Sequence, residues 1–125
     1  MPQRAVRIEI PAFAEYLTVV RAAATGLAAG LEFTYEEIDD LRIAVDEACA
    51  QLLARRGSAD TLTVEYALDE SALRIEVTVP GDDGAEPLPR DTFAWQILRA
   101  LTDEVDEHVD AAGLHLSFRK RGGAG

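Results

Sequence analysis

The chain has 125 residues and carries 23 Asp and Glu against 12 Lys and Arg, a formal net charge of −11. With 48% apolar residues it can bury one core, and its 9 glycines and 5 prolines exclude collagen-like and low-complexity classes. The carboxylate excess repels phosphate backbones and so argues against nucleic acid as a direct partner, and the longest apolar run, residues 22–31, falls well short of the ~20 residues of a membrane span.

Val6, Ile8 and Ile10 alternate with Arg7 and Glu9 up to Pro11, which predicts a first strand over residues 4–10. The period then changes to that of a helix. Phe13, Leu17, Val20, Ala24 and Leu27 form its stripe, and Gly30 stands at its end. Thr34 and Glu37 have the spacing of a capping box for a second helix, closed by Arg55, Arg56 and Gly57. Its inner stripe is Ile38, Leu41, Val45, Ala48, Cys49 and Leu52, which leaves Glu47 and Gln51 together on another face.

Residues 62–66 and 73–79 alternate as two strands about the turn Asp69-Glu70-Ser71, and residues 80–91 have the Pro, Gly and Asp content of a long surface loop. Asp91 or Thr92 can cap a third helix with Ala94, Ile97, Leu98, Leu101 and Val105 on its stripe. Residues 105–109 and 114–118 read as two last strands about Ala111-Ala112-Gly113, and residues 121–125 as a flexible tail. The predicted order is β-α-α-β-β-α-β-β over one domain, residues 1–120. That order predicts an α+β two-layer sandwich: a mixed, mainly antiparallel sheet with its helices on one face and a solvated outer face that includes His115 and Ser117.

Several residues have a plain structural reading. Cys49 lies on an apolar stripe as a small hydrophobe, and as the lone cysteine it makes no internal disulfide, which together with the absence of a charged, apolar leader sets a cytoplasmic expectation. His108 and His115 stand on different predicted strands, with no cysteine or carboxylate cluster at ligand spacing, so no metal site is expected. Phe93 and Trp95 belong either to the core or, if exposed, to a binding anchor.

The segment Asp40-Leu-Arg-Ile-Ala-Val-Asp46-Glu47-Ala48-Cys49 resembles the N-box helix of the anti-sigma-factor serine kinases, a branch of the histidine-kinase-type (GHKL, Bergerat-fold) ATPases. Residues 93–105 are similar to that family's "ALxDEV" helix, and within the family the chain is most like the short actinobacterial-type anti-sigma factors. The resemblance implies that Glu47 occupies the position of the general base towards a partner's serine. Gln51 stands where an Asn would hold Mg²⁺ beside ATP.

The adenine-binding Asp should follow the second hairpin strand, where Val79, Pro80 and Gly81 stand instead, with Asp82 and Asp83 displaced beyond them. Pro87 and Pro89 replace the glycines expected before the third helix, which removes amide donors for phosphate. These departures imply a decayed nucleotide site, with no cofactor expected, or Mg·ATP if the kinase alternative holds.

On the same resemblance the partners are an alternative sigma factor of the stress or sporulation type and a STAS-domain anti-anti-sigma factor, with the chain acting as a homodimer. Glu15 aligns with a sigma contact, Val19 stands where Arg is common, and Arg21 can reach a similar place. An acidic inhibitor also suits a basic sigma surface. The alternatives are an active serine kinase acting on the STAS-domain protein, and a domain that binds another regulator or a small nucleotide.

Overall fold

The five period-two segments are strands in the computed structural model, which describes residues 4–81 and 89–123: β1 (Arg4–Pro11), β2 (Thr61–Asp69), β3 (Ala72–Val79), β4 (Glu104–Asp110) and β5 (Gly113–Arg121). The helices are α1 (Leu17–Gly30), α2 (Tyr35–Ala54) and α3 (Phe93–Leu101), with a 3-10 turn over Ala14–Tyr16 ahead of α1. The element order is the one expected, and the helices lie on one face of a single sheet.

Strand order is β1-β2-β3-β5-β4, and all four neighbouring pairs are antiparallel. The parallel pairing implied by a mixed sheet is therefore not present among the described residues. Its physical reason is the crossover through α3. That connection sets β4 parallel to β3 but one place further out, and β5 returns through the hairpin at residues 110–113 to fill the gap, antiparallel to both.

The core forms where α2 lies on the inner face of the sheet. Leu41, Val45, Ala48, Cys49 and Leu52 meet the cluster containing Ile75, Val77, Leu116 and Phe118, all fully buried. Each of the valine, leucine, isoleucine and phenylalanine side chains among them contributes about 1.5 to 3 kcal/mol on burial. Helices α1 and α3 both pack against α2. Helix α1 is further tied to the sheet by Tyr66, whose buried hydroxyl donates to the Val20 carbonyl at 2.9 Å. Lys120 points to the helix side of β5, donates to the Leu101 carbonyl at the end of α3 (2.9 Å) and lies 3.9 Å from Asp40 of α2.

The capping box at α2 is complete: Thr34 Oγ1 accepts from the Glu37 amide (3.1 Å) and the Glu37 carboxylate accepts from the Thr34 amide (2.8 Å). Glu37 also accepts from the Gly123 amide at 3.1 Å. Gly122 donates to the Ser71 carbonyl and packs on Phe33 so closely that a Cβ would fall 1.9 Å from the ring. Thus β5 includes Arg121, the residue at which the tail was expected to begin, and Gly122 and Gly123 are held by these contacts.

Three expectations change in detail. The helix stripe does not begin at Phe13, which is 49% exposed under the Arg56 guanidinium; the chain enters α1 through the 3-10 turn, and the buried stripe is Leu17, Val20, Ala24 and Ala28. Val105 belongs to β4 rather than to α3, because Thr102 ends the helix in extended backbone. The outer face of β5 is not solvated: His115 and Ser117 are buried, since β5 has a neighbour on each side.

On β4, Glu107 points to the inner face opposite Leu116. Its side chain is only 7% exposed, Oε1 takes a long contact from Arg90 (3.4 Å) and buried Oε2 has no partner among the described residues.

Tyr66→Phe removes the hydroxyl's hydrogen bond to the Val20 carbonyl, which keeps its helical partner in α1, and chemical denaturation should show a loss of about 0.5 to 1.5 kcal/mol. Accepting from the Thr34 amide holds the Glu37 carboxyl below its ordinary 4.5, against an opposing effect of burial. A depressed carboxyl stabilises the fold above its unfolded pKa and loses that contribution as pH falls through the folded value. The stability gap between wild type and Glu37→Gln should therefore be full at neutral pH, begin to narrow near pH 4.5 and close below it.

Candidate functional site

The long α2 helix presents its buried stripe to the sheet, which turns its two flanks towards α1 and α3. Glu47 and Gln51 share one flank. Both are half-buried, and the Gln51 amide nitrogen donates to Glu47 Oε1 at 3.3 Å. The i, i+4 spacing brings a carboxylate and an amide oxygen within one helical turn, a donor pair suited to a hard cation or to a proton acceptor beside it. Asp46 lies on the flank facing α1, where it pairs with Arg21 Nε at 2.5 Å. Cys49 is fully buried between these flanks, and burial pushes its thiol up to about 12, which makes it inert.

The remaining parts of the expected nucleotide site do not assemble among the described residues. Val79 is buried and is followed by Pro80 and Gly81, and no carboxylate ends β3. Gly113 approaches that strand end so closely, at φ 137°, that a Cβ would fall 2.1 Å from the Val79 carbonyl oxygen. Asp82 and Asp83 lie outside the described residues. At the start of α3, Thr92 Oγ1 accepts from the Trp95 amide and donates to the Pro89 carbonyl, so a side-chain cap holds the first turn. Trp95 is 3% exposed, stacks under Arg90 at 4.8 Å and belongs to the core, whereas Phe93 is 76% exposed. A cavity of about 680 Å³ opens near Arg74, Arg90, Trp95 and Arg99, and neither Glu47 nor Gln51 lines it.

The expected partner-binding residues divide. Glu15 and Val19 are exposed around the entry to α1, but the Arg21 side chain is engaged by Asp46 and ties α1 to α2. Phe13, Tyr16 and Val19, spaced by three, are 49%, 40% and 49% exposed and border Glu15.

The two histidines are a further departure from expectation. His108 and His115 are directly opposed across the β4–β5 hairpin, with rings stacked at 4.3 Å and 10°, and Asp110 stands beside both. His115 Nε2 lies 2.8 Å from Asp110 Oδ1, and hydrogen bonding from His115 holds the Asp110 carboxyl below the usual range. The signal was present in the hairpin turn: residues equally distant from Ala111 and Ala112 must face each other.

Comparison with known proteins agrees with this geometry. Residues 10–120 match the family model described as a histidine kinase-like ATPase domain. The chain is 32% identical over 118 aligned positions to the serine-protein kinase RsbW of Bacillus mycoides (strain KBAB4), covering 89% of this chain and 68% of that protein. It is 33% identical to the RsbW of Bacillus cereus (strain B4264), with the same coverage. Among solved structures, that of the RsbU and RsbW domains of Rv1364c from Mycobacterium tuberculosis superposes with a TM-score of 0.71 at 22% identity. That match covers 96% of this chain and 32% of the other, which shares the fold.

The Arg21–Asp46 pair is 36% and 48% exposed, so water screens it. A double-mutant cycle of Arg21→Ala and Asp46→Ala, read by thermal unfolding, should give a coupling of no more than about 1 kcal/mol.

Proposed function

The chain belongs to the histidine kinase-like ATPase family, as a relative of the serine-protein kinase RsbW, and from that premise we propose that it is an anti-sigma factor working by binding rather than by phosphotransfer. It sequesters an alternative sigma factor of the stress or sporulation type and releases it when a STAS-domain antagonist competes. A cytoplasmic location and a homodimer belong to this reading. No helix among the described residues is long and apolar enough to cross a membrane.

The observation that carries the proposal is the contrast between two surfaces. Phe13, Tyr16 and Val19 are exposed on the approach to α1 beside Glu15, while β3 ends in Val79 and is followed by Pro80 and Gly81, so that among the described residues there is no carboxylate at the strand end to accept from adenine, which supports the binding reading. Mass action between competing partners then sets how much sigma factor is free, and the acidic chain favours fast encounter with a basic partner. A kinase acting on the STAS-domain protein is the second reading. It is favoured by Glu47, half-buried and held by Gln51 at the position of the family's base.

Calorimetric titration with Mg·ATP should show no binding up to millimolar nucleotide, and affinity capture from the source cells should recover a sigma factor together with a STAS-domain protein. Micromolar ATP binding, with phosphate transfer to the STAS-domain protein abolished by Glu47→Gln, moves the kinase to first place. Recovery of neither partner overturns the binding reading.

A further inference from the structure

The β4–β5 hairpin carries a donor set on the face of the sheet turned away from the helices. His108 Nε2 lies 3.6 Å from Asp110 Oδ2, His115 Nε2 lies 2.8 Å from Asp110 Oδ1, and the ligand atoms of the three residues all fall within 4.8 Å of one another. Tetrahedral zinc with nitrogen and oxygen donors at about 2.0 to 2.2 Å sets its ligand atoms about 3.3 to 3.6 Å apart, so the two stacked rings would have to turn out of their parallel arrangement to aim both nitrogens at one ion, with Asp110 already within reach.

The backbone already fixes most of the arrangement. His108 and His115 are a directly opposed cross-strand pair, and Asp110 follows His108 by two residues, which places it on the same face. His115 is buried, and its Nδ1 lies 2.8 Å from Thr78 Oγ1 and 3.6 Å from Glu76 Oε2 on β3. With the proton on Nδ1, the Thr78 hydroxyl and the Glu76 carboxylate can accept it, and Nε2 is left as the lone-pair donor. Support of one ring nitrogen by a hydroxyl and a carboxylate is the arrangement that orients metal-bound histidines.

We propose that His108, Asp110 and His115 form a binding site for a divalent transition metal of the zinc class, with Glu76 and Thr78 orienting His115. Two imidazoles and one carboxylate suit zinc better than magnesium or calcium, which prefer all-oxygen sets. Three protein ligands leave a fourth position for water or for a group on a partner. The site lies on the opposite face of the sheet from Glu47 and Gln51 and does not depend on the proposed anti-sigma role.

The test is calorimetric titration of the chelator-treated full chain with zinc chloride alone. The expected result is one ion per chain, with protons released on binding and a raised melting temperature. His108→Ala, at a half-exposed residue of an edge strand, should weaken binding about tenfold or more, and Asp110→Asn should do likewise. Because Asp110 also accepts from the Ala112 amide in the turn, a misfolded Asp110→Asn chain would leave His108→Ala to decide. Absence of binding at millimolar zinc, or undiminished binding by a folded His108→Ala chain, overturns the proposal.

Discussion

Much of this molecule depends on β5 returning between β3 and β4. A strand with neighbours on both sides is hydrogen-bonded along both edges, and residues on its outer face are covered by side chains from either flank. That single insertion makes the sheet antiparallel throughout and buries His115 and Ser117 on a face that alternation alone marks as wet. It also carries Lys120 beneath the end of α3 and delivers Gly122 and Gly123 to Phe33 and to the capping box of α2. The two ends of the helical layer are thereby anchored to one strand, by a cation at α3 and by the Gly123 amide at α2.

The helical layer divides function from support along α2. One flank is joined to α1 through Arg21 and Asp46, the stripe between is core, and the other flank holds Glu47 and Gln51. A kinase needs far more than that last pair, because a base is useful only if the phosphate donor is held in line with the acceptor. Among the described residues, β3 ends in a buried valine followed by Pro80 and Gly81, and Pro89 and a threonine cap lead into α3. They stiffen the backbone where a nucleotide would require amides and a carboxylate. A surface for partners survives such changes readily, since it needs shape and exposed apolar groups rather than positioned donors.

Legibility in the sequence followed the range of the physics. Local signals were read well: the Thr34–Glu37 box, the alternation of residues 73–79, the cap before Phe93 and the position of Cys49 all concern neighbours within one turn or one pleat. Element order followed from these, and with it the layer architecture. Strand order did not, because nothing local shows that β5 enters between two strands already in place. The same gap hid the burial of His115 and its meeting with His108 and Asp110, although the hairpin turn fixed their register. Phe13 shows the opposite limit: helical spacing placed it on a stripe, but a 3-10 turn rotated it out to Arg56. Helical spacing puts Glu47 and Gln51 on one face, and the structure adds the hydrogen bond between them.

Glu107 has a consequence for self-association. It sits on the inner side of β4, an edge strand whose backbone would otherwise be open to pairing, and one of its carboxylate oxygens is already enclosed without a donor among the described residues. Any foreign strand laid along that edge would enclose the charge further and leave it unsatisfied, at a cost that backbone hydrogen bonds alone do not offset. An inward-facing charge of this kind guards a sheet against fibrillar growth. It also directs assembly: two copies of this chain have reason not to continue their sheets through β4, which leaves the helices, the side chains and the β1 edge.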